Sequence, residues 1–184
     1  MYVVSETRIQ DPTSVIQLRP AGTNPAISCF TLRVSGDSAA AIRGMYGVGI
    51  ALSPRAESAL LDWIPVNSRL CAVRLNGVTK VNAHRRRKRF LFVISAYAPT
   101  DVASEAEKDN FYRELTKLVR CAKSTDIVVL AGDMNAQVGR LSSVETHLGG
   151  WFGVSAQRTD NGDRLLHFYA EHRLFLVNTN FQHK

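Results

Sequence analysis

The chain has 184 residues, with 23 Lys+Arg against 16 Asp+Glu and a formal net charge of +7. Its hydrophobic fraction of 45% and charged fraction of 21% are ordinary for a globular protein and exclude an intrinsically disordered chain. The length suffices for one domain, residues 1–184, with a sizeable core. The basic balance favours polyanionic partners such as nucleic acid.

Targeting and redox features are few. The sequence has no apolar run of transmembrane length and no signal segment, so we expect an intracellular protein, nuclear or cytoplasmic, without a membrane partner. No feature indicates an obligate protein partner. Cys29, Cys71 and Cys121 are scattered without a C-x-x-C spacing, which excludes a disulfide framework and a zinc site and predicts buried free thiols.

The first half of the chain predicts strands separated by loops. Residues 1–4 are apolar and predict a buried strand that ends just before Glu6, whose carboxylate is either a metal ligand or a solvated loop group paired with Arg8. Loop signals dominate until about residue 46, and residues 30–34 suit an edge strand. We predict further strands over residues 47–53, 68–75 and 90–96, with a helical turn near residues 57–63 and a hairpin turn at Asn76-Gly77.

A basic run precedes the third of these strands. It comprises Arg85, Arg86, Arg87, Lys88 and Arg89. Such a run either contacts a phosphate backbone or forms a solvated hairpin tip whose charges prevent edge pairing. The sequence leaves both interpretations open.

The second half predicts helix, strand and helix. Residues 104–123 show helical periodicity behind a capping box of Ser104 and Glu107. Residues 127–130 predict a strand buried on both faces, followed by Asp133 and Asn135. On an extended backbone these two side chains share one side, which predicts either a polar cleft or a local Asx turn. A glycine-rich loop, a second helix capped by Asn161 and a last strand over residues 174–178 complete the chain.

Three short motifs stand in order along the sequence: S-E-T around Glu6, S-A-Y-A-P-T around Tyr97, and G-D-M-N-A around Asp133 and Asn135. Together with N-G-D-R-L-L and V-N-T-N-F further on, they make the chain resemble the endonuclease/exonuclease/phosphatase superfamily. The likeness is greatest to the endonuclease domains of LINE-type (non-LTR) retrotransposons and to the craniofacial-development-protein-like sequences derived from them.

The resemblance implies a four-layer α/β sandwich, here incomplete, and a Mg²⁺- or Mn²⁺-dependent endonuclease that nicks DNA. It implies that Glu6 anchors the metal, that Asp133 orients or deprotonates the attacking water, and that Asn135 and Tyr97 support the phosphate. Thr100 is carried over as a nucleic-acid contact, although the family often has Asn there. The family's first strand region and its late strands, with a general-base His and its Asp partner, have no counterpart here, so we expect this chain alone to nick DNA poorly.

Two other functions share these motifs. One is a phosphoester hydrolase acting on lipid or inositol phosphates. The other is a catalytically impaired remnant that binds nucleic acid through its basic surface. DNA nicking against phosphate release separates the first from an endonuclease, and loss of metal dependence identifies the second.

Overall fold

The structure is a computed structural model that describes residues 1–9, 11, 14–19, 29–36, 46–82 and 85–182. It contains two compact units: Met1–Tyr97 with Glu114–Asp133, and Ala98–Arg113 with Met134–Lys184. The chain passes from the second unit to the first within one helix, so the two units cannot be equated with domains. The prediction of a single domain stays a prediction. Among the described residues, no helix is long and apolar enough to cross a membrane.

The first unit holds two four-stranded sheets. One is antiparallel throughout, in the order β1-β4-β3-β2, with strands β1 (Tyr2–Ser5), β2 (Val15–Leu18), β3 (Phe30–Ser35) and β4 (Val48–Leu52). The other has the order β5-β6-β7-β8, with strands β5 (Leu60–Asn67), β6 (Leu70–Asn82), β7 (Arg85–Tyr97) and β8 (Asp126–Asp133). Among the described strands only β7 and β8 pair in parallel, which the helix that connects them makes possible. The short helix α1 (Pro54–Ser58) joins β4 to β5.

The two sheets pack face to face around a common apolar core. Fully buried side chains of β4 meet those of β6 and β7, and the cluster comprises Val48, Ile50, Leu52, Cys71, Val73, Leu75 and Val93. Each such branched side chain stabilises the fold by about 1.5–3 kcal/mol through burial. With the helices of the chain this gives a mixed α/β fold with two sheets, and the predicted α/β class is confirmed.

Two details of the predicted strands are wrong. Asn76-Gly77 is not a turn, because β6 continues to Asn82 and Gly77 pairs with Arg89 of β7. A side chain at Gly77 would have its Cβ 3.0 Å from the Arg89 carbonyl, so glycine here serves close strand approach. Strand β3 is not an edge strand, since it lies between β4 and β2.

The helix between β7 and β8, α2 (Glu105–Arg120), starts as predicted: Ser104 Oγ accepts a hydrogen bond from the Glu107 amide at 3.3 Å. The strand that follows differs from its prediction. Side chains alternate along β8, and Ile127 and Val129 on one face are 38% and 39% exposed. Burial on both faces is therefore wrong for β8.

The cysteines are free, as the spacing predicts. Only Cys71 is buried, and its burial raises the pKa of its thiol to about 12. Cys29 is half-buried and Cys121 is exposed, so the prediction of buried thiols holds for one of the three.

The second unit contains helix α3 (Asp160–His172), which Thr159 caps, not Asn161. Thr159 Oγ1 accepts from the Gly162 amide at 3.2 Å. The predicted last strand is absent from the described residues: Leu176 forms one bridge with Gly149, and a 3₁₀ helix, Val177–Asn180, follows. The hydroxyl of Thr179 donates to the Leu176 carbonyl at 2.6 Å, and such local bonds compete with strand pairing.

The loop before α3 is held by a bidentate ion pair. Arg158 donates to both carboxylate oxygens of Glu145, at 2.7 and 2.9 Å, and its Nε donates to the Val138 carbonyl at 2.8 Å. The Arg158 bonds, helped by the amide and hydroxyl of Ser142, hold the pKa of the Glu145 carboxyl at about 2. The loop is thus ordered by charge-assisted bonds.

We expect Glu145→Gln to lower the free energy of unfolding by about 1–2 kcal/mol at pH 7. Because the folded-state pKa lies below the ordinary 4.5, this stabilisation is present above pH 4.5 and disappears as the pH falls towards 2. Urea denaturation at several pH values measures it. Glu114→Gln is the control: Glu114 bonds Lys117, which is 65% exposed, and we expect a loss of about 0.5 kcal/mol or less. An equal loss in both variants at pH 7 would contradict this account.

Candidate active site

Glu6 stands directly after β1 in a strained backbone conformation. Its φ is 54°, a left-handed value that costs a non-glycine residue about 1–2 kcal/mol. The segment is fixed by two backbone bonds of 3.0 Å, from the Thr7 amide to the Gly47 carbonyl and from the Arg8 amide to the Tyr46 carbonyl. The Glu6 side chain is 48% exposed, and one of its oxygens lies 3.7 Å from the Arg8 guanidinium. Strain held by surrounding structure is common at functional sites.

Tyr97, the last residue of β7, joins Glu6. Its hydroxyl donates to Glu6 Oε1 at 2.7 Å, across 91 positions of sequence. This bond, then burial and the Glu6 charge, raise the pKa of the Tyr97 phenol; Arg69 opposes the rise and Asp133 adds to it. The phenol is therefore neutral near pH 7 and acts as a hydrogen-bond donor.

Asp133, the last residue of β8, pairs in register with Tyr97. Parallel strands end at the same edge of the sheet, so the two residues lie side by side there. β1, which leads to Glu6, packs against both β7 and β8. The first unit therefore brings the ends of these three strands, and with them Glu6, Tyr97 and Asp133, to one place.

Arg69 is a neighbour that the sequence pattern does not reveal. Its guanidinium carbon lies 4.3 Å from the centre of the Tyr46 ring and 5.5 Å from that of Tyr97, and Nη1 donates to the Tyr97 carbonyl at 3.3 Å. The alternation of the predicted strand over residues 68–75 suggests only an outward-facing residue at position 69. A cation stacked on two tyrosines from distant segments requires the fold to be known.

Asn135 belongs to the second unit. The extended backbone that would align it with Asp133 ends at β8, and Asn135 has a φ of 45°. Its Nδ2 donates to the Ala98 carbonyl at 2.8 Å, 37 positions away, so its side chain is not bonded only locally. The predicted role of Asn135 at a phosphate stays a prediction.

Asn161, predicted only as a helix cap, has a different part in the second unit. Its side chain is buried, and Nδ2 donates to the carbonyls of Pro99 and Asn135, each at 2.9 Å. Its amide donates to Asp101 Oδ1 at 3.1 Å. The N-G pair in the sequence is the one signal available, and it indicates a turn or cap, not a residue that ties two loops together.

The candidate nucleic-acid residues remain predictions. The backbone of Arg85–Arg89 lies within β7, paired with β6, and the side chains of residues 85–88 lie outside the described residues, as does His84. The paired backbone shows that this run is part of a strand, not only of a hairpin tip. Thr100 is exposed in the second unit, and its carbonyl accepts from the Ala103 amide at 3.0 Å.

The donor set at Glu6 fits a small hard cation. Among the described residues no three His, Cys, Asp or Glu side chains gather as metal ligands. Mg²⁺ does not require such a cage, because it usually takes one or two carboxylates and keeps water or phosphate oxygens in its other positions. The Glu6 carboxylate is half-exposed and supplies hard oxygen. Glu6 would hold the ion, and Asp133 at the neighbouring strand end would orient one of its bound waters.

Sequence comparison gives the chain's relatives. It is 34% identical over 137 residues to craniofacial development protein 2 of Bos taurus, and 33% identical over 137 residues to the protein of that name from Tragulus javanicus. The chain is homologous to craniofacial development protein 2. The match covers 74% of this chain, and the chain spans 21% and 22% of the two relatives.

Other comparisons give no match. No family model matches the chain. No solved structure matches it. The resemblance to craniofacial-development-protein-like sequences is thus confirmed, whereas membership of the endonuclease/exonuclease/phosphatase superfamily and descent from a LINE endonuclease stay predictions.

Proposed function

We propose that the chain carries the site of a Mg²⁺- or Mn²⁺-dependent phosphodiester hydrolase that nicks DNA, of retrotransposon origin. The observation that supports this most is the 2.7 Å bond from the Tyr97 hydroxyl to Glu6, at the strand end where Asp133 pairs in register with Tyr97. Each of these residues comes from a different motif of the sequence resemblance. A purely structural role would not require two acids and a phenol at one exposed strand edge.

The roles follow from the chemistry of each group. Glu6 accepts the hydrogen bond from Tyr97 and anchors the cation, since its carboxylate has oxygens for both. Tyr97 stays neutral, and its one O–H donates to Glu6, which orients that carboxylate for the cation. Asp133 is an acceptor that orients a water molecule and takes its proton. A bound divalent ion would polarise the phosphate and stabilise the leaving oxygen.

DNA is the polyanion that we propose as substrate. The support is the formal net charge of +7 and the basic run from Arg85 to Arg89 on β7. Each Lys or Arg that neutralises a phosphate releases a counterion, so binding should weaken steeply as salt rises. Lipid and inositol phosphates carry few charges and give a shallower dependence.

The test is nicking of supercoiled plasmid with Mg²⁺. It is run on the 184-residue chain and on the same chain carrying the flanking segments of the bovine relative. Matched reactions replace DNA with inositol phosphates and measure released phosphate, and others replace Mg²⁺ with excess chelator. We expect open-circle DNA from at least one of the two chains, only with the metal, and no phosphate release.

The remaining outcomes overturn the proposal. Phosphate release without nicking would indicate the lipid or inositol phosphate hydrolase. DNA binding with a steep salt dependence, but no nicking by either chain, would indicate the nucleic-acid-binding remnant. Nicking that persists in chelator would mean that the reaction does not use the proposed metal site.

A further inference from the structure

We propose that Arg69 is a positioning residue that holds the Tyr97 phenol in line with Glu6. The inference rests on the proposed function, because it assigns Arg69 a part in that same site. The observation that carries it is the guanidinium of Arg69, which contacts both the tyrosine of the site and the tyrosine that anchors the Glu6 segment.

The Arg69 backbone is fixed before its side chain acts. Its amide donates to Asn67 Oδ1 at 2.9 Å, and its carbonyl accepts from the Tyr97 amide at 2.9 Å. The first bond makes an Asx turn between β5 and β6, and the second ties that turn to the end of β7. The side chain therefore leaves from a defined point beside Tyr97.

From that point the side chain contacts Tyr97 twice. Nη1 donates to the Tyr97 carbonyl at 3.3 Å, and the guanidinium carbon lies 5.5 Å from the centre of the Tyr97 ring. One contact fixes the backbone of Tyr97 and the other limits the positions of its ring. A planar guanidinium can stack on a ring while an N–H at its edge bonds a carbonyl, whereas an ammonium is a compact, strongly hydrated point charge without a face to stack.

The other ring links Arg69 to the Glu6 segment. Tyr46 lies 4.3 Å from the guanidinium carbon, its carbonyl accepts from the Arg8 amide at 3.0 Å, and the Gly47 amide donates to the Ser68 carbonyl at 2.9 Å. Arg69 thus bridges two segments of the first unit, one ending in Glu6 and the other in Tyr97. Loss of the bridge would free the phenol from its aligned position, and small misplacements of catalytic groups cost large factors in rate.

The test compares Arg69→Met and Arg69→Lys with the matched control Arg74→Met. Arg74 also lies over an aromatic ring of the same sheet, 5.2 Å from the centre of Phe92, but has no contact with either tyrosine of the bridge among the described interactions. The chain is labelled with 3-fluorotyrosine, and the ¹⁹F signals of Tyr46 and Tyr97 are assigned with Phe substitutions. Nicking kinetics are measured on whichever chain nicks plasmid.

We expect Arg69→Met to shift the ¹⁹F signals of Tyr46 and Tyr97, leave those of Tyr112 and Tyr169 in place, and lower kcat about 10- to 100-fold with KM unchanged. Arg69→Lys should not restore kcat, and Arg74→Met should move neither signal. Unmoved signals in Arg69→Met, full rescue by Lys, or a change in KM alone would overturn the inference. Shifted signals in a chain without nicking activity would support the positioning of Tyr97 and refute the proposed function separately.

Discussion

Replacing Asp133 with Ala is expected to lower the rate of Mg²⁺-dependent plasmid nicking by about 10²–10⁴-fold, the usual contribution of a general acid–base group. Asp133 ends β8 beside Tyr97, and in the proposed reaction its carboxylate orients the attacking water. Asp133→Asn should be nearly as inactive, because the amide keeps the shape but cannot take a proton. Supercoiled-plasmid nicking rates under single-turnover conditions measure both.

The matched control is Asp62→Ala. Asp62 is a half-exposed carboxylate in the same unit, 3.9 Å from the Arg74 guanidinium, and has no part in the proposed site. Its loss should leave the nicking rate close to that of the unmodified chain, as expected for an exposed ion pair. Equal nicking by Asp133→Ala and Asp62→Ala would show that Asp133 takes no part in the reaction.

Gly132→Ala should be the most destabilising single substitution near the site, with a loss of about 3 kcal/mol or more in the free energy of unfolding. Gly132 has a φ of 130°, which L-residues rarely adopt. An added Cβ would lie 1.9 Å from the Ala96 carbonyl oxygen, so β7 and β8 would have to separate just before Tyr97 and Asp133. Urea denaturation measures the loss.

Gly77→Ala provides the comparison for this effect. Gly77 also lies in a strand of the same sheet, but its added Cβ would be 3.0 Å from the nearest atom, the Arg89 carbonyl oxygen, and its φ is ordinary. We expect a loss of about 1 kcal/mol there. Similar losses for both glycines would contradict the close approach of β7 and β8 at Gly132.

The sequence predicts well the elements whose local pattern and tertiary environment agree. Helix α2 is one, because Ser104 and the apolar stripe both mark it. β8 shows where this agreement stops: its apolar run predicts a strand, but whether Ile127 and Val129 are covered depends on what packs over the sheet. The Asn76-Gly77 pair favours a turn locally, and pairing along β6 and β7 overrides it.

The candidate site divides in the same way. Short motifs in the sequence point to three residues of the candidate site, because each directly follows or ends an apolar strand. These residues are Glu6, Tyr97 and Asp133. Arg69 and Asn161 are not found, since their contacts with Tyr97 and Asn135 join segments that are distant in sequence. Asn135 shows the limit of the spacing argument, because a φ of 45° ends the extended backbone on which that argument depends.

Mn²⁺ titration of the 184-residue chain, followed by NMR of its carboxylate carbons, tests most directly whether Glu6 and Asp133 share a metal-centred cleft. Paramagnetic broadening reports distance from the ion whether or not the chain is active. Carboxylates that share one small cation and its bound waters lie within about 8 Å of each other. We predict that the signals of Glu6 and Asp133 broaden together and that excess Mg²⁺ restores both, while that of Asp62, which pairs with Arg74 in the same unit, is unaffected. Broadening of Glu6 without Asp133, or of neither, would contradict the shared site.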